Sequence, residues 1–174
     1  MTHDTVITGA RVVTPSGATQ CDIGIRGGQI ATLGSELEGH EVIDASGLIA
    51  LPGGIDSHVH ISQPSGPGLE MADDVTTGTR SAACGGNTTI LPFCLPEEGQ
   101  TLREAVTAYR AKAEGKCMTD VSFHLIVKET DPVTLGQELP ALIQAGYTSF
   151  KVFMTYAGLA LSDRQILDVM AVAK

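Results

Sequence analysis

The sequence has no run of lysine or arginine able to neutralise a row of phosphates. Lys and Arg number 11 against 20 Asp and Glu, a net charge of −9. That balance argues against a nucleic-acid partner. No apolar run approaches the ~20 residues needed to span a bilayer. The opening MTHDTVITGA lacks a positive segment followed by an apolar one, so no signal peptide is expected from it. No two of the four cysteines, Cys21, Cys84, Cys94 and Cys117, form a C-x-x-C pair. Reduced cysteines in a cytoplasmic protein are expected, not disulfides or a thiolate centre. No segment is low-complexity, and no repeat beyond an alternation of strands and helices is visible.

What is present is a soluble, core-forming composition: 43% hydrophobic and 18% charged over 174 residues. The first fifty residues show no helical period. TVITGARVVTPSG alternates β-branched residues with small or polar ones and turns at Pro15-Ser16-Gly17. CDIGIRGGQIATLG reads as a hairpin about Gly27-Gly28. EVIDASGLIALPG adds two short strands. Residues 1–52 are therefore expected to form a small all-β unit.

From Gly53 onward apolar strands alternate with helices. GIDSHVHI, NTTILPF, DVSFHLIV and TSFKVFM are the strands. The helices fall in DDVTTGTRSAAC, capped by Asp73 or Asp74; in TLREAVTAYRAKAEG, with a Thr101–Glu104 capping box and an end at Gly115; in VTLGQELPALIQAG, interrupted or restarted at Pro140; and in SDRQILDVMAVAK, capped by Ser162. Four βα units in succession give an α/β fold with a parallel sheet and right-handed crossovers. An open doubly wound sheet and half of an eight-unit barrel both satisfy that pattern.

Two features could carry chemistry. His58 and His60 stand at i and i+2 at the end of the first strand, so their imidazoles point to one side. Imidazole binds zinc and similar metals, and sites in parallel βα folds gather at the C-terminal ends of strands. Two histidines hydrogen-bonded to backbone at a strand end satisfy the same pattern. Lys151 lies between Phe150 and Val152 in the fourth strand. Its ammonium reaches solvent at the strand end, or burial depresses its pKa and the neutral amine takes up carbon dioxide as a carbamate. Tyr156 follows in the next loop, a packing residue or a donor to a developing oxyanion. Asp73 and Asp74 suit a helix cap better than a paired-carboxylate mechanism. His124 reads as a satisfied strand histidine, and His3 and His40 have no supporting context.

LPGGIDSHVHISQP, MADDVTTGTRSAACGGNTTILPF and SFKVFMTY together resemble the cyclic amidohydrolases, most closely the dihydropyrimidinase and hydantoinase group. The resemblance covers essentially the whole chain but only the N-terminal part of the family's usual length. It implies a TIM (β/α)8 barrel whose first four βα units are residues 53–174, preceded by an incomplete sandwich-like domain at 1–52. It implies two divalent metals, zinc by preference, with His58 and His60 on the more buried ion. Lys151, as N6-carboxylysine formed with carbon dioxide, bridges both. Tyr156 would touch the substrate and steady the oxyanion. The implied reaction opens a dihydropyrimidine or hydantoin ring by attack of a metal-bridged hydroxide on the ring carbonyl. The full-length protein is expected to be a homo-oligomer, a dimer or tetramer.

The sequence also departs from the family's relatives. Dihydroorotases carry an arginine two residues after H-x-H, where this chain has Ser62 and then Gln63; allantoinases tend to have asparagine in this region. Ser65 follows Pro64 where hydantoinases have an aromatic. A dihydroorotase-like or allantoinase-like enzyme and a non-catalytic scaffold are the alternatives; non-enzymatic relatives generally lack the metal histidines, which this chain keeps. The family's two further histidines and its general-base aspartate come from later strands. The 174 residues are thus expected to be part of a longer enzyme, inactive alone and prone to associate through exposed apolar edges.

Overall fold

A computed structural model describes residues 2–66 and 68–174, leaving Met1 and Pro67 outside the described residues. The chain divides into two compact units, Met1–Pro52 and Gly53–Lys174.

The first unit is one mixed five-stranded sheet. β1 (His3–Thr14) pairs antiparallel with β2 (Gly17–Arg26), which pairs antiparallel with β3 (Gln29–Gly34). The β2–β3 turn is Gly27-Gly28, both at positive φ, 58° and 74°. A two-residue hairpin matched to the strand twist needs that conformation. β4 (Gly39–Asp44) and β5 (Ile49–Ala50) both run parallel to β1. The β1–β2 register shifts between Ile7 and Ala10. Gly9 sits in that bulge at φ 70°, and a Cβ there would lie 2.6 Å from Ser46 Oγ. Ala10, Val12, Ile23 and Ala45 form the buried core. The second sheet that a sandwich requires is not among the described residues.

The second unit is built on a wholly parallel sheet. The elements are β6 (Gly54–Val59), α1 (Val75–Cys84), β7 (Asn87–Cys94), α2 (Leu102–Ala113), β8 (Asp120–Val121), β9 (His124–Ile126), α3 (Leu139–Gln144), β10 (Phe150–Lys151) and α4 (Asp163–Ala173). The sheet order is β6-β7-β9-β10, with β8 also paired to β7. Strand order follows chain order, as in a barrel wall rather than a doubly wound sheet, which reverses direction partway. The sheet fits part of a TIM barrel, and the α/β fold expected from the sequence is observed.

The helix ends obey local chemistry. Asp74, Thr101 and Ser162 each accept from the backbone N–H three residues on, and each helix closes a reciprocal capping box. Of the two aspartates considered for α1, Asp74 is the cap. One turn of π-helix (Thr134–Glu138) precedes α3, whose first turn holds Pro140. The expected single strand DVSFHLIV is split into β8 and β9, and TSFKVFM narrows to the two residues of β10.

Alternation along the strands decides what faces what. Cys94, Phe123, Leu125 and Val127 join Leu102, Val106, Tyr109, Leu139 and Val169 in the core beneath the helices, with Phe150 and Val152 packed against it. Phe93, His124 and Lys151 occupy the alternate positions and so belong to the opposite face of the sheet.

Candidate metal centre

β6 ends at Val59, so His58 lies in the strand and His60 one residue beyond it. The β6–β7 ladder is irregular between Asp56 and Val59. Both histidines are exposed. Their Nε2 atoms stand 3.3 Å apart, and the rings meet edge-on with centroids 5.2 Å apart. His60 Nδ1 donates to Gln63 Oε1 at 2.9 Å. An amide oxygen can only accept, so the proton sits on Nδ1 and the Nε2 lone pair is left facing His58. The backbone N–H of His58 donates to Asp56 Oδ1 at 3.1 Å.

A metal bound tetrahedrally by two imidazoles at ~2.0–2.1 Å separates their nitrogens by ~3.3 Å. The observed spacing is that distance, and the donors suit zinc and similar borderline metals. The residues present therefore fit part of a metal site. Among the described residues, no group of three or more His, Cys, Asp or Glu converges as a metal cluster.

The side chains meet around one ring. Phe93 is 4% exposed. Its centroid lies 4.8 Å from that of His58, 4.9 Å from that of His60 and 5.1 Å from that of His124. Lys151 Nζ lies 5.5 Å from the Phe93 centroid and 5.1 Å from that of Phe153, within cation–π range. Lys151 is half-buried. Its carbonyl accepts from the Val127 N–H at 2.9 Å, which pins β10 to β9. The histidine pair and the lysine, 91 residues apart in the chain (151 − 60), are thus gathered on one face by the parallel pairing of β6, β7, β9 and β10.

Tyr156 sits in the loop after β10, 64% exposed, its ring edge-on to Phe153 at 5.2 Å. Ser62 occupies the left-handed region at φ 47°. Its N–H donates to the Asp73 carbonyl at 3.1 Å, and its own carbonyl accepts from Lys112 Nζ at 3.3 Å. The Tyr109 hydroxyl donates to the carbonyl of Ile61. The turn that follows His60 is therefore held from α2.

Other polar groups have structural occupations. His3, 4% exposed, bonds the Glu38 carbonyl and Thr32 Oγ1, each at 3.1 Å. The buried Glu138 carboxylate accepts from the Leu102 N–H at 2.9 Å, at the start of α2. All four cysteines are free; burial pushes the Cys94 thiol up to about 12, against a role as a thiolate. Sequence reasoning did not find Phe93. It reads as an ordinary core phenylalanine, and its neighbours come from strands far apart in the chain.

No family model matches the chain. It is 43% identical over 178 residues to a D-hydantoinase of Streptomyces coelicolor, covering 98% of this chain and 38% of that protein. It is also 43% identical to a D-hydantoinase of Geobacillus stearothermophilus, over 91% of this chain and 34% of that one. Among solved structures, a D-hydantoinase superposes with a TM-score of 0.92 at 38% identity, over 98% of this chain and 37% of the other. The dihydropyrimidinase of Brevibacillus agri gives 0.90 at 39% identity, over 98% and 37%. The chain spans little more than a third of the length of these relatives. By sequence and by fold, this chain is homologous to the D-hydantoinases and dihydropyrimidinases over that stretch.

Proposed function

We propose that this chain supplies one side of the active site of a metal-dependent hydrolase that opens cyclic amide rings, dihydropyrimidines or hydantoins. The observation that carries the metal part is the convergence of His58 Nε2 and His60 Nε2 at 3.3 Å on the face that also holds Lys151. The homology to D-hydantoinases supports the substrate class. Ser62 and Gln63 standing where a dihydroorotase has its arginine favours a neutral ring over a carboxylated one.

His58 and His60 would hold a divalent metal, zinc by preference, through Nε2. Gln63 fixes the His60 tautomer by accepting a hydrogen bond from Nδ1–H. Lys151 is the residue for carbamylation: its neutral amine nitrogen bonds the carbon of carbon dioxide and releases a proton, leaving an anionic N6-carboxylysine whose two oxygens suit a second divalent ion. Bound divalent metal supplies Lewis acidity, polarising an amide carbonyl and making water acidic enough to deprotonate near neutral pH. The buried Phe93 ring packs against both imidazoles and limits how they can turn. Tyr156 is the donor that would stabilise the oxyanion developing on the carbonyl.

In this reading Gly53–Lys174 is half of a TIM barrel and Met1–Pro52 contributes to a small β-domain. The working enzyme is a cytoplasmic homo-oligomer, a dimer or tetramer. The test is metal content of the full-length protein together with ring opening of hydantoin and dihydrouracil. Bound divalent metal with turnover of either substrate is expected. Less than one metal per chain and no ring opening would overturn the proposal.

A further inference from the structure

His124 sits at the centre of the sheet and bonds to both sides of it. Its Nε2 lies 2.7 Å from the carbonyl of Ser57, the residue before His58. Its Nδ1 lies 2.5 Å from Ser149 Oγ, two residues before Lys151. A carbonyl can only accept, so Nε2 carries a proton and donates to Ser57. Nδ1 forms its bond with the Ser149 hydroxyl, which can serve as donor or acceptor. Its ring face stacks on Phe93 at 29° between planes, and Phe93 in turn packs against both His58 and His60.

The two bonds span 67 and 25 residues of sequence. They tie β6 to the residue just before β10, and those two strands do not pair with each other: they are the two ends of the β10-β9-β7-β6 order. At Ser57 the ladder to β7 is also irregular, with the shift falling between Asp56 and Val59. The carbonyl that His124 holds is thus in the least regular part of β6, next to the residue whose ring must be aimed.

We propose that His124 is a positioning residue: it clamps the end of β6, which carries His58 and leads into His60, to the start of the strand bearing Lys151, and so sets their separation. The inference rests on the metal reading of those three side chains. It assigns His124 no bond to metal or substrate. A histidine that merely filled space there would need neither bond, and removing Ser149 Oγ would then change nothing at the site.

The experiment uses the full-length protein, with cobalt(II) as the probe. Affinity is read by chelator competition, the ligand field by visible absorption, and the fold by thermal unfolding. His124→Ala is expected to weaken cobalt(II) binding about 10–100-fold, the range for residues that orient ligands. His124→Gln keeps an N–H for the Ser57 carbonyl and should recover part of that loss. Ser149→Ala should weaken binding severalfold and alter the cobalt(II) spectrum while unfolding at the wild-type temperature, which keeps the test decisive if His124→Ala fails to fold. Wild-type affinity and spectrum in Ser149→Ala, or equal losses in the Gln and Ala variants of His124, would overturn the clamp and leave the metal reading standing. No cobalt(II) binding by the wild-type protein would overturn the metal reading and the clamp with it.

Discussion

His3 in the β-unit and the His58–His60 pair in the βα unit use their ring nitrogens in opposite ways. In the β-unit, His3 is 4% exposed, bonds Thr32 Oγ1 and the Glu38 carbonyl, and lies so close over Gly24 that a Cβ there would meet its ring at 2.5 Å. In the βα unit, His58 and His60 are exposed, and they turn nitrogen toward nitrogen. A buried histidine with a partner for each ring nitrogen serves the fold. A pair whose donor nitrogens converge, while an amide side chain holds the tautomer of one, serves a ligand. Residue type alone does not separate the two roles; the partners do.

That contrast can be broken from either side. The largest effect is expected from His58→Ala or His60→Ala: loss of divalent-metal affinity beyond 100-fold, since residues that only orient ligands already account for ~10–100-fold. Both residues are exposed, so stability should stay within ~0.5 kcal/mol of wild type without metal. Chelator competition and denaturant unfolding on the same samples check both halves. Next, Leu139→Ala, at a fully buried position under the parallel sheet, should destabilise by ~2–5 kcal/mol, measured as a shift in urea midpoint. His3→Ala should have the reverse signature of the metal histidines. It removes a buried ring and its two hydrogen bonds to exposed residues, lowering stability by ~1 kcal/mol, and leaves metal affinity unchanged.

Smaller effects sharpen the account of each unit. Thr101→Ala removes the cap of α2 and should lower stability by ~1 kcal/mol, with Thr101→Ser close to neutral in the same unfolding assay. The smallest effect is pH-dependent. The Gly9 N–H, and then the Leu37 N–H, hold the Asp22 carboxyl below the usual carboxylate range. Its contribution is present above the unfolded value near ~3.9 and disappears as pH falls through the lower folded value. Asp22→Asn should therefore flatten the acid limb of the stability curve while leaving the limb above neutrality unchanged.

Local signals carried much of this structure. The Gly27-Gly28 hairpin, the three capping boxes and the β-to-βα change near Pro52 all follow from residues within a few positions of one another. The i, i+2 spacing of His58 and His60 implied that their imidazoles share a side, and the rings do meet. What local pattern could not carry is pairing across the sheet. The register Phe93↔His124 and Ile126↔Lys151 is a property of three parallel strands together. Phe93 as the shared wall, and His124 as the bridge from Ser57 to Ser149, exist only once those strands are aligned. The split of β8 from β9 is also tertiary: Asp120 and Val121 pair opposite Thr89 and Ile90, whereas His124 pairs opposite Phe93.

The central claim is that the Nε2 atoms of His58 and His60 share one metal ion. Titrating zinc(II) into the 15N-labelled protein while following the imidazole nitrogens tests it most directly. The Nε2 resonances of these two histidines are expected to move together and saturate at a common zinc equivalence, with His60 Nδ1 still protonated toward Gln63. Nε2 resonances that stay in place, or a zinc-induced shift at His60 Nδ1, would contradict it.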